Sequence, residues 1–471
     1  MPEQPDTELA YLSIERAARL LRRKQISPLD LVESALARIE HFNPSINAFI
    51  TVVADRARRQ ARVAETQLRR GRAANLLCGI PISIKDNFWT RDVRTTAGSK
   101  ILSQFVPGKN SVVAEKLESA GAILLGKTNM HEFAYGITNE NPHYGPARNP
   151  WDLERITGGS SGGSSAALAA GIGYGATGTD TGGSIRIPAA LCGIVGLKPT
   201  FGLVSVDGVV PLAKTLDHAG PMARSVTDVC ILLEAIAGIY PRGATRPDHR
   251  KLRKIRPRKF RLGWPKEYFF ERIDAEVRAA LESAAKRFES LGAKIIEVSL
   301  PGVERSVEPS TSMALAEATQ YHESQGYFPA QAEKYGDDVR HRLKLGRDVR
   351  AADYLNAFEA KRAVTHEFDS AFEDVDAILA PTLPIVAPRI GENEVAIEGR
   401  KETVRSALVR LNRPANLTGH PALSVPCGFA KSGLPIGLQL IGPNWSEAQL
   451  LAIALAYEDA TDWHARRPPL L

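Results

Sequence analysis

Between Thr157 and Pro188 the chain reads TGGSSGGSSAALAAGIGYGATGTDTGGSIRIP, with one Gly-Gly-Ser turn ending at Ser160 and another at Ser184. Its only ionisable groups are Asp180, Arg186 and Tyr174. A linker would be Gly/Ser-rich throughout. Here AALAA separates the turns, so the segment reads as loop, buried helix, loop, with a hydroxyl presented in each loop. Glycine lets backbone N–H groups crowd close to a ligand, and several such donors can hold a developing negative charge. A serine nucleophile needs those surroundings, and it also needs a base. The ten histidines lie outside this block, and none has a motif around it. A lysine can serve if burial lowers its pKa until it is neutral when free. Lys85 is a candidate because it ends the apolar run CGIPISIK, Cys78 to Lys85. On pattern alone, a strand-end lysine reaching solvent and two turn serines are the simpler readings.

Three other matches carry chemistry in name only. Gly121-Ala-Ile-Leu-Leu-Gly126-Lys127-Thr128 satisfies GxxxxGK[ST], but its four middle residues read as a buried apolar strand with a helix before them. A phosphate-binding loop needs the strand first and a flexible loop after it. Gly173–Gly178 satisfies GxGxxG but follows an Ala-rich helix, where the dinucleotide fingerprint needs a strand. Gly158-Gly-Ser160-Ser-Gly162 satisfies GxSxG, yet no apolar strand precedes it, and neither His420 nor His464 sits in a telling context.

The elements that must position these residues alternate between helix and strand. Leu9–Lys24 has apolar residues at helical spacing. Ser27-Pro28 starts a second helix, with Ser27 as N-cap and Pro28 at the first helical position, running to about His41. Arg56–Arg72 is a third, basic helix stopped near Gly71. In Cys78–Lys85, Ile80, Ile82 and Ile84 fall on one face, with Ser83 and Lys85 on the other. Ser111–Ala120 reads as helix and Ala122–Leu125 as strand. Further strands are expected at Phe260–Trp264, Lys294–Val298, Ala377–Ala380, Ala422–Val425 and Pro435–Ile441. Further helices are expected at Asp274–Leu291, 311–325, 351–374 and Ser446–Ala460. This alternation predicts an α/β fold, a mixed sheet covered by helices.

The bulk numbers are those of an ordinary globular chain: 471 residues, 44% apolar and 24% charged, with a net charge of +7. The basic excess is concentrated in Arg246–Arg261, which reads as a solvated connector. A nucleic-acid surface would want interleaved aromatics and a matching motif, and neither is present. The four cysteines are scattered in apolar contexts without a CxxC, which predicts buried reduced thiols in a cytoplasmic protein. The first residues lack a basic start followed by an apolar core, and no apolar run approaches membrane-span length, so neither a signal peptide nor a membrane partner is expected.

Taken together, GIPISIKDN (Gly79–Asn87), GGSSGGSSA (Gly158–Ala166) and GTDTGGSIRIPA (Gly178–Ala189) resemble the amidase signature family. Lys127–Met130, Asn149–Trp151, Cys192–Pro199 and the stretch from Pro414 to Ile441 read the same way. The likeness is strongest between about 76 and 230 and weakest between 240 and 370. It implies one domain over 1–471, a large mixed sheet with helices on both faces. Its parts are amino-terminal helices (1–75), a catalytic core (about 76–235), a more variable substrate-entrance region (about 240–400) and carboxyl-terminal core strands and a helix (401–471). The resemblance puts a Ser-Ser-Lys triad on Lys85, Ser160 and Ser184: Ser184 as nucleophile forming an acyl-enzyme, Ser160 as proton relay, Lys85 as base. It implies a cis bond at Gly159–Ser160 and an oxyanion hole from the backbone N–H groups of Thr181, Gly182, Gly183 and Ser184. A side chain at 182 or 183 is expected to stand where the substrate carbonyl sits. Ser161 and Asp180 are expected to hold the loop, and Arg186 to make a structural ion pair. Met130, His131, Phe133 and Tyr135 are candidates for the substrate pocket. No metal or cofactor is implied; the partner is a small-molecule amide, and a homodimer is allowed for.

Within that family one branch is the A subunit of glutamyl-tRNA amidotransferase, which releases ammonia from glutamine for a partner protein. Its members usually carry Asp where this chain has His131, and Asp-x-x-Thr where this chain has Val409-Arg410-Leu411-Asn412. The acidic residue expected to hold the amino group of glutamine is therefore missing. The sequence favours a free-standing amidase acting on a small carboxamide. The glutamyl-tRNA amidotransferase branch is the alternative, and a P-loop nucleotide-binding protein or a non-catalytic relative are more distant ones.

Overall fold

The computed structural model describes residues 7–71, 75–255 and 260–469. The described residues form the strands β1 (Phe49–Val52), β2 (Pro81–Lys85), β3 (Ile123–Thr128), β4 (Arg148–Asn149), β5 (Asp152–Ile156), β6 (Gly175–Asp180), β7 (Val195–Lys198), β8 (His218–Ala223), β9 (Arg261–Pro265), β10 (Lys294–Val298), β11 (Ala377–Pro381), β12 (Glu394–Ile397), β13 (Arg400–Thr403), β14 (Ala422–Phe429) and β15 (Pro435–Ile441). Eleven of them form one sheet in the order β1-β3-β2-β6-β8-β7-β14-β15-β11-β9-β10, while β4/β5 and β12/β13 are separate hairpins. Both directions of pairing occur. β2 runs parallel to β3 and β6, and β9 parallel to β10 and β11, with antiparallel pairs between.

Every residue of β2, β3, β6, β7, β8 and β15 is buried, so helices cover both faces of the sheet centre. The alternation in Pro81–Lys85 does assign faces correctly, but both faces are inside. Lys85 does not reach solvent, because β2 is flanked by β3 and β6 and roofed on its polar side by the Gly/Ser block. The AALAA helix (Gly162–Ala169) and the helix Arg186–Cys192 are wholly buried, which explains their small and apolar composition.

Helix starts follow local chemistry. Ser27 accepts the Asp30 N–H at 3.1 Å while Asp30 accepts the Ser27 N–H at 2.7 Å, a reciprocal cap. The helix continues past the expected stop near His41 to Ile46. Pro44 sits in its last turn and removes one backbone donor, and burial of Phe42 and Ile46 keeps that turn in place. All four cysteines are free and buried. No described helix is long and apolar enough to cross a membrane. Residues 256–259 of the basic stretch lie outside the described residues; of the rest, Arg253 pairs with Asp459 at 3.0 Å on the surface.

Candidate active site

The end of β2, the turn before the AALAA helix and the turn after β6 converge. Lys85 is 0% exposed. Its Nζ lies 2.8 Å from Ser160 Oγ and 2.7 Å from Thr179 Oγ1. Asn87 also donates to Thr179 Oγ1, at 3.2 Å. Burial pulls the Lys85 pKa down from 10.5 to about 7, and the attraction of Asp180 and Asp217 only partly opposes it. Near neutral pH the amine is therefore divided between charged and uncharged forms.

The Gly159–Ser160 peptide is cis. Ser160 is wholly buried, and its carbonyl accepts the His131 N–H at 3.2 Å. Ser184 occupies the neighbouring turn. Its carbonyl accepts the Ser161 N–H at 3.3 Å, and its side chain borders a narrow cleft of about 420 Å³ counted with its mouth. Among the described residues no hydrogen bond joins the hydroxyls of Ser160 and Ser184, so Lys85–Ser160 is the link already made.

Asp180 organises the turn that carries Ser184. Its carboxylate accepts the N–H of Gly183 at 2.7 Å and of Ile185 at 3.2 Å, and Asn416 donates to it at 2.8 Å. Arg186 grips both of its oxygens, at 3.0 and 3.1 Å, and donates further to Gln439 and Asn416. Burial alone would raise the Asp180 pKa, but the Arg186 charge and its hydrogen bonds hold it well below the usual carboxylate range. Arg186 is thus a structural ion pair, with its nitrogens engaged inside the protein. Ser161 ties the two loops together, bonding the Thr179 carbonyl at 3.3 Å.

The expected oxyanion donors divide. The N–H groups of Thr181, Gly182 and Ser184 have no protein acceptor among the described residues, whereas that of Gly183 is taken by Asp180. The two glycines also differ. A Cβ at Gly182 would meet only Arg413 Cγ, at 3.9 Å, in the cleft itself. Gly183 has φ +118°, and a Cβ there would strike Ile187 at 2.7 Å and Asn412 at 2.8 Å. Its glycine is demanded by backbone and packing, not by room for a carbonyl.

Of the four candidate pocket residues only Tyr135 lines the cleft. Met130 is buried, its carbonyl accepting from Asn141 at 2.8 Å. His131 turns its ring to Asp338 at 2.9 Å, and Phe133 packs in a cluster with His322 and Tyr335. Sequence reasoning misses Thr179 and Asp217. Asp217 accepts from Thr181 Oγ1 at 2.5 Å and from the Leu212 and Ala213 N–H groups at 2.9 and 3.1 Å, so it pins the turn that leads to Ser184. It also misses Arg405 and Arg413, which border the cleft with Val409. Arg405 lies four residues before Val409 on one helix, a spacing that puts both on one face, whereas Arg413 opens the next helix.

The motif at Gly121–Thr128 is β3, a sheet strand, and Lys127 is buried. It donates to the Phe88 carbonyl at 2.5 Å and to Thr95 at 2.8 Å. It has neither a loop nor a free ammonium for a phosphate.

The model of the amidase family matches residues 30–451. The chain belongs to the amidase signature family. A curated relative, the A subunit of glutamyl-tRNA(Gln) amidotransferase from Hahella chejuensis, is 44% identical over 96% of this chain and 97% of its own. A solved amidase structure superposes with TM-score 0.86 at 37% identity, covering 95% of this chain and 99% of that one. A chain from an inhibitor-bound protein complex that reveals the evolutionary origins of an s-triazine catabolic enzyme superposes with TM-score 0.89 at 34% identity, covering 95% of this chain and 98% of that one. This amidase-family chain is a hydrolase acting on carbon–nitrogen bonds.

Proposed function

We propose that the chain is a serine amidase that hydrolyses a small linear carboxamide, with Ser184 as nucleophile, Ser160 as relay and Lys85 as base. The observation that carries this reading is a wholly buried lysine, 2.8 Å from Ser160 and lowered to about 7. Such an amine can accept a proton at working pH and give it back. Ser184 Oγ attacks the carbonyl carbon. Its proton passes to Ser160, whose own proton moves to Lys85. The N–H groups of Thr181, Gly182 and Ser184 receive the oxyanion. Collapse breaks the C–N bond, the amine leaves with the proton returned through Ser160, and water cleaves the acyl ester along the same path. The Ser160–Ser184 hydrogen bond closes in the substrate complex, a tightening common to catalytic contacts.

A serine-directed phosphonate or sulfonyl fluoride is expected to label Ser184. A panel of aliphatic, aryl and dipeptide amides, glutamine, carbamates and anilides, read by ammonia or amine release, is expected to show turnover. An unlabelled protein with no turnover on that panel would sink the reading.

The identity to glutamyl-tRNA amidotransferases favours one alternative, release of ammonia from glutamine for a second protein. Against it, Val409 stands where that branch carries its acidic residue, and the cleft lining includes no Asp or Glu among the described residues. The alternative requires copurification with a partner chain, and ammonia release specific to glutamine.

A further inference from the structure

Arg405 and Arg413 enter the cleft that holds Ser184, from the helices Val404–Arg410 and Arg413–Thr418. Arg413 is committed to the protein. It donates to the Val307 carbonyl at 2.8 Å and to Thr311 Oγ1. Arg405 is not. Among the described residues its side chain makes no hydrogen bond and no ion pair. Two like charges, Arg342 and Arg413, act on it. Its favourable neighbours are Tyr135 and Asp338, and Asp338 is already bonded to His131 and to Arg342, each at 2.9 Å. The other cleft residues, from Ala134 to Ile137 and including Leu212, Ser310, Ala314 and Val409, supply no carboxylate. A guanidinium beside other cations, whose neighbouring carboxylate is already bonded elsewhere, is in an unfavourable arrangement that a bound anion relieves. Burial, followed by those two arginines, lowers the Arg405 pKa to about 9, which agrees with that picture.

We infer that Arg405, backed by Arg413, receives a carboxylate of the substrate, so that the natural amide is a short, anionic one. This rests on the amidase reading and specifies its substrate class. A planar guanidinium with free donors matches a carboxylate two-pronged. Arg405 and Ser184 line the same small cleft, so a substrate that meets both is a short one. An ammonium group would find arginines and no carboxylate in the cleft lining.

The test pairs ω-amides of dicarboxylic acids with neutral amides of equal length: succinamate with butyramide, and glutaramate with pentanamide. Wild-type kcat/KM, from ammonia release, is expected to favour the anionic member by on the order of 100-fold, the scale of a charge-assisted hydrogen bond. Arg405→Met is expected to bring that ratio within a few-fold of one, and Arg405→Lys to restore part of it. A wild-type preference for butyramide or for cationic β-alaninamide overturns the inference. So does an Arg405→Met protein that keeps the wild-type ratio. Failure of the amidase reading looks different: no turnover and no label on Ser184. In that event calorimetry on Ser184→Ala protein still decides. Tighter binding of succinamate than butyramide supports the carboxylate site, and equal or absent binding of succinamate overturns it.

Discussion

Replacing Lys85 with methionine removes a buried amine whose pKa lies near 7 in the folded protein and near 10.5 when free. The unfolded chain therefore binds more protons than the folded one across that window, and folding becomes more favourable as pH rises through it. Below pH 7 the folded protein carries the full cost of a charged lysine in the core. The difference between those two values corresponds to about 5 kcal/mol at 1.36 kcal/mol per pH unit. Above 10.5 both states are neutral and the cost is gone. Methionine has no such dependence. The stability gained by Lys85→Met over wild type is thus expected to shrink by about 3 kcal/mol between pH 6 and pH 9, by the same linkage. Loss of the contacts to Ser160 and Thr179 offsets part of the gain at every pH and cancels in the difference. The assay is urea unfolding of both proteins at several pH values, with slopes checked for equality. Parallel stability curves would refute the reasoning, because they would mean that Lys85 stays charged in the folded state and cannot serve as base.

Four further outcomes are expected. Wild-type kcat/KM should rise with pH through about 7, the Lys85 value, and level off above it; a profile flat from pH 6 to 9 would contradict a neutral base. Ser160→Ala should lower kcat by roughly 10²–10⁴-fold while phosphonate labelling at Ser184, though slow, remains; full activity would remove the relay. Asp180→Ala leaves Arg186 buried without its carboxylate and should destabilise by about 3–5 kcal/mol in denaturant unfolding, whereas a change below about 1 kcal/mol would show the pair to be dispensable. Gly183→Ala, at φ +118° and 2.7 Å from Ile187, should cost roughly 1–3 kcal/mol and displace Ser184, read as lost label; a fully labelled, equally stable variant would contradict this.

Much of the fold was legible because hydrophobic period and capping are local. The strands at Lys294–Val298 and Pro435–Ile441 and the capped helix from Pro28 lie where the sequence places them. The strands Gly175–Asp180 and His218–Ala223 were not legible. Their residues are small or polar and show no alternation, because both faces are buried against close neighbours. At Gly220, for instance, a Cβ would stand 2.1 Å from the Leu197 carbonyl. The pocket was the least legible part. Met130, His131 and Phe133 precede the cleft in sequence but turn into the protein, whereas Arg405 and Arg413 come from far down the chain.

By itself the sequence determined which residue types are present for chemistry. It supplied two serines in glycine-rich turns, an acid–arginine pair to brace one of them, and a lysine ending an apolar strand. The tertiary structure decided what the lysine is. Placing β2 between β3 and β6 sets Lys85 beside Thr179 and under Ser160, residues 94 and 75 positions away, both of them neutral hydroxyls. Local pattern tells which face a side chain takes, but not which distant segments close over it. Desolvation, which turns an ordinary cation into a base, depends on that closure.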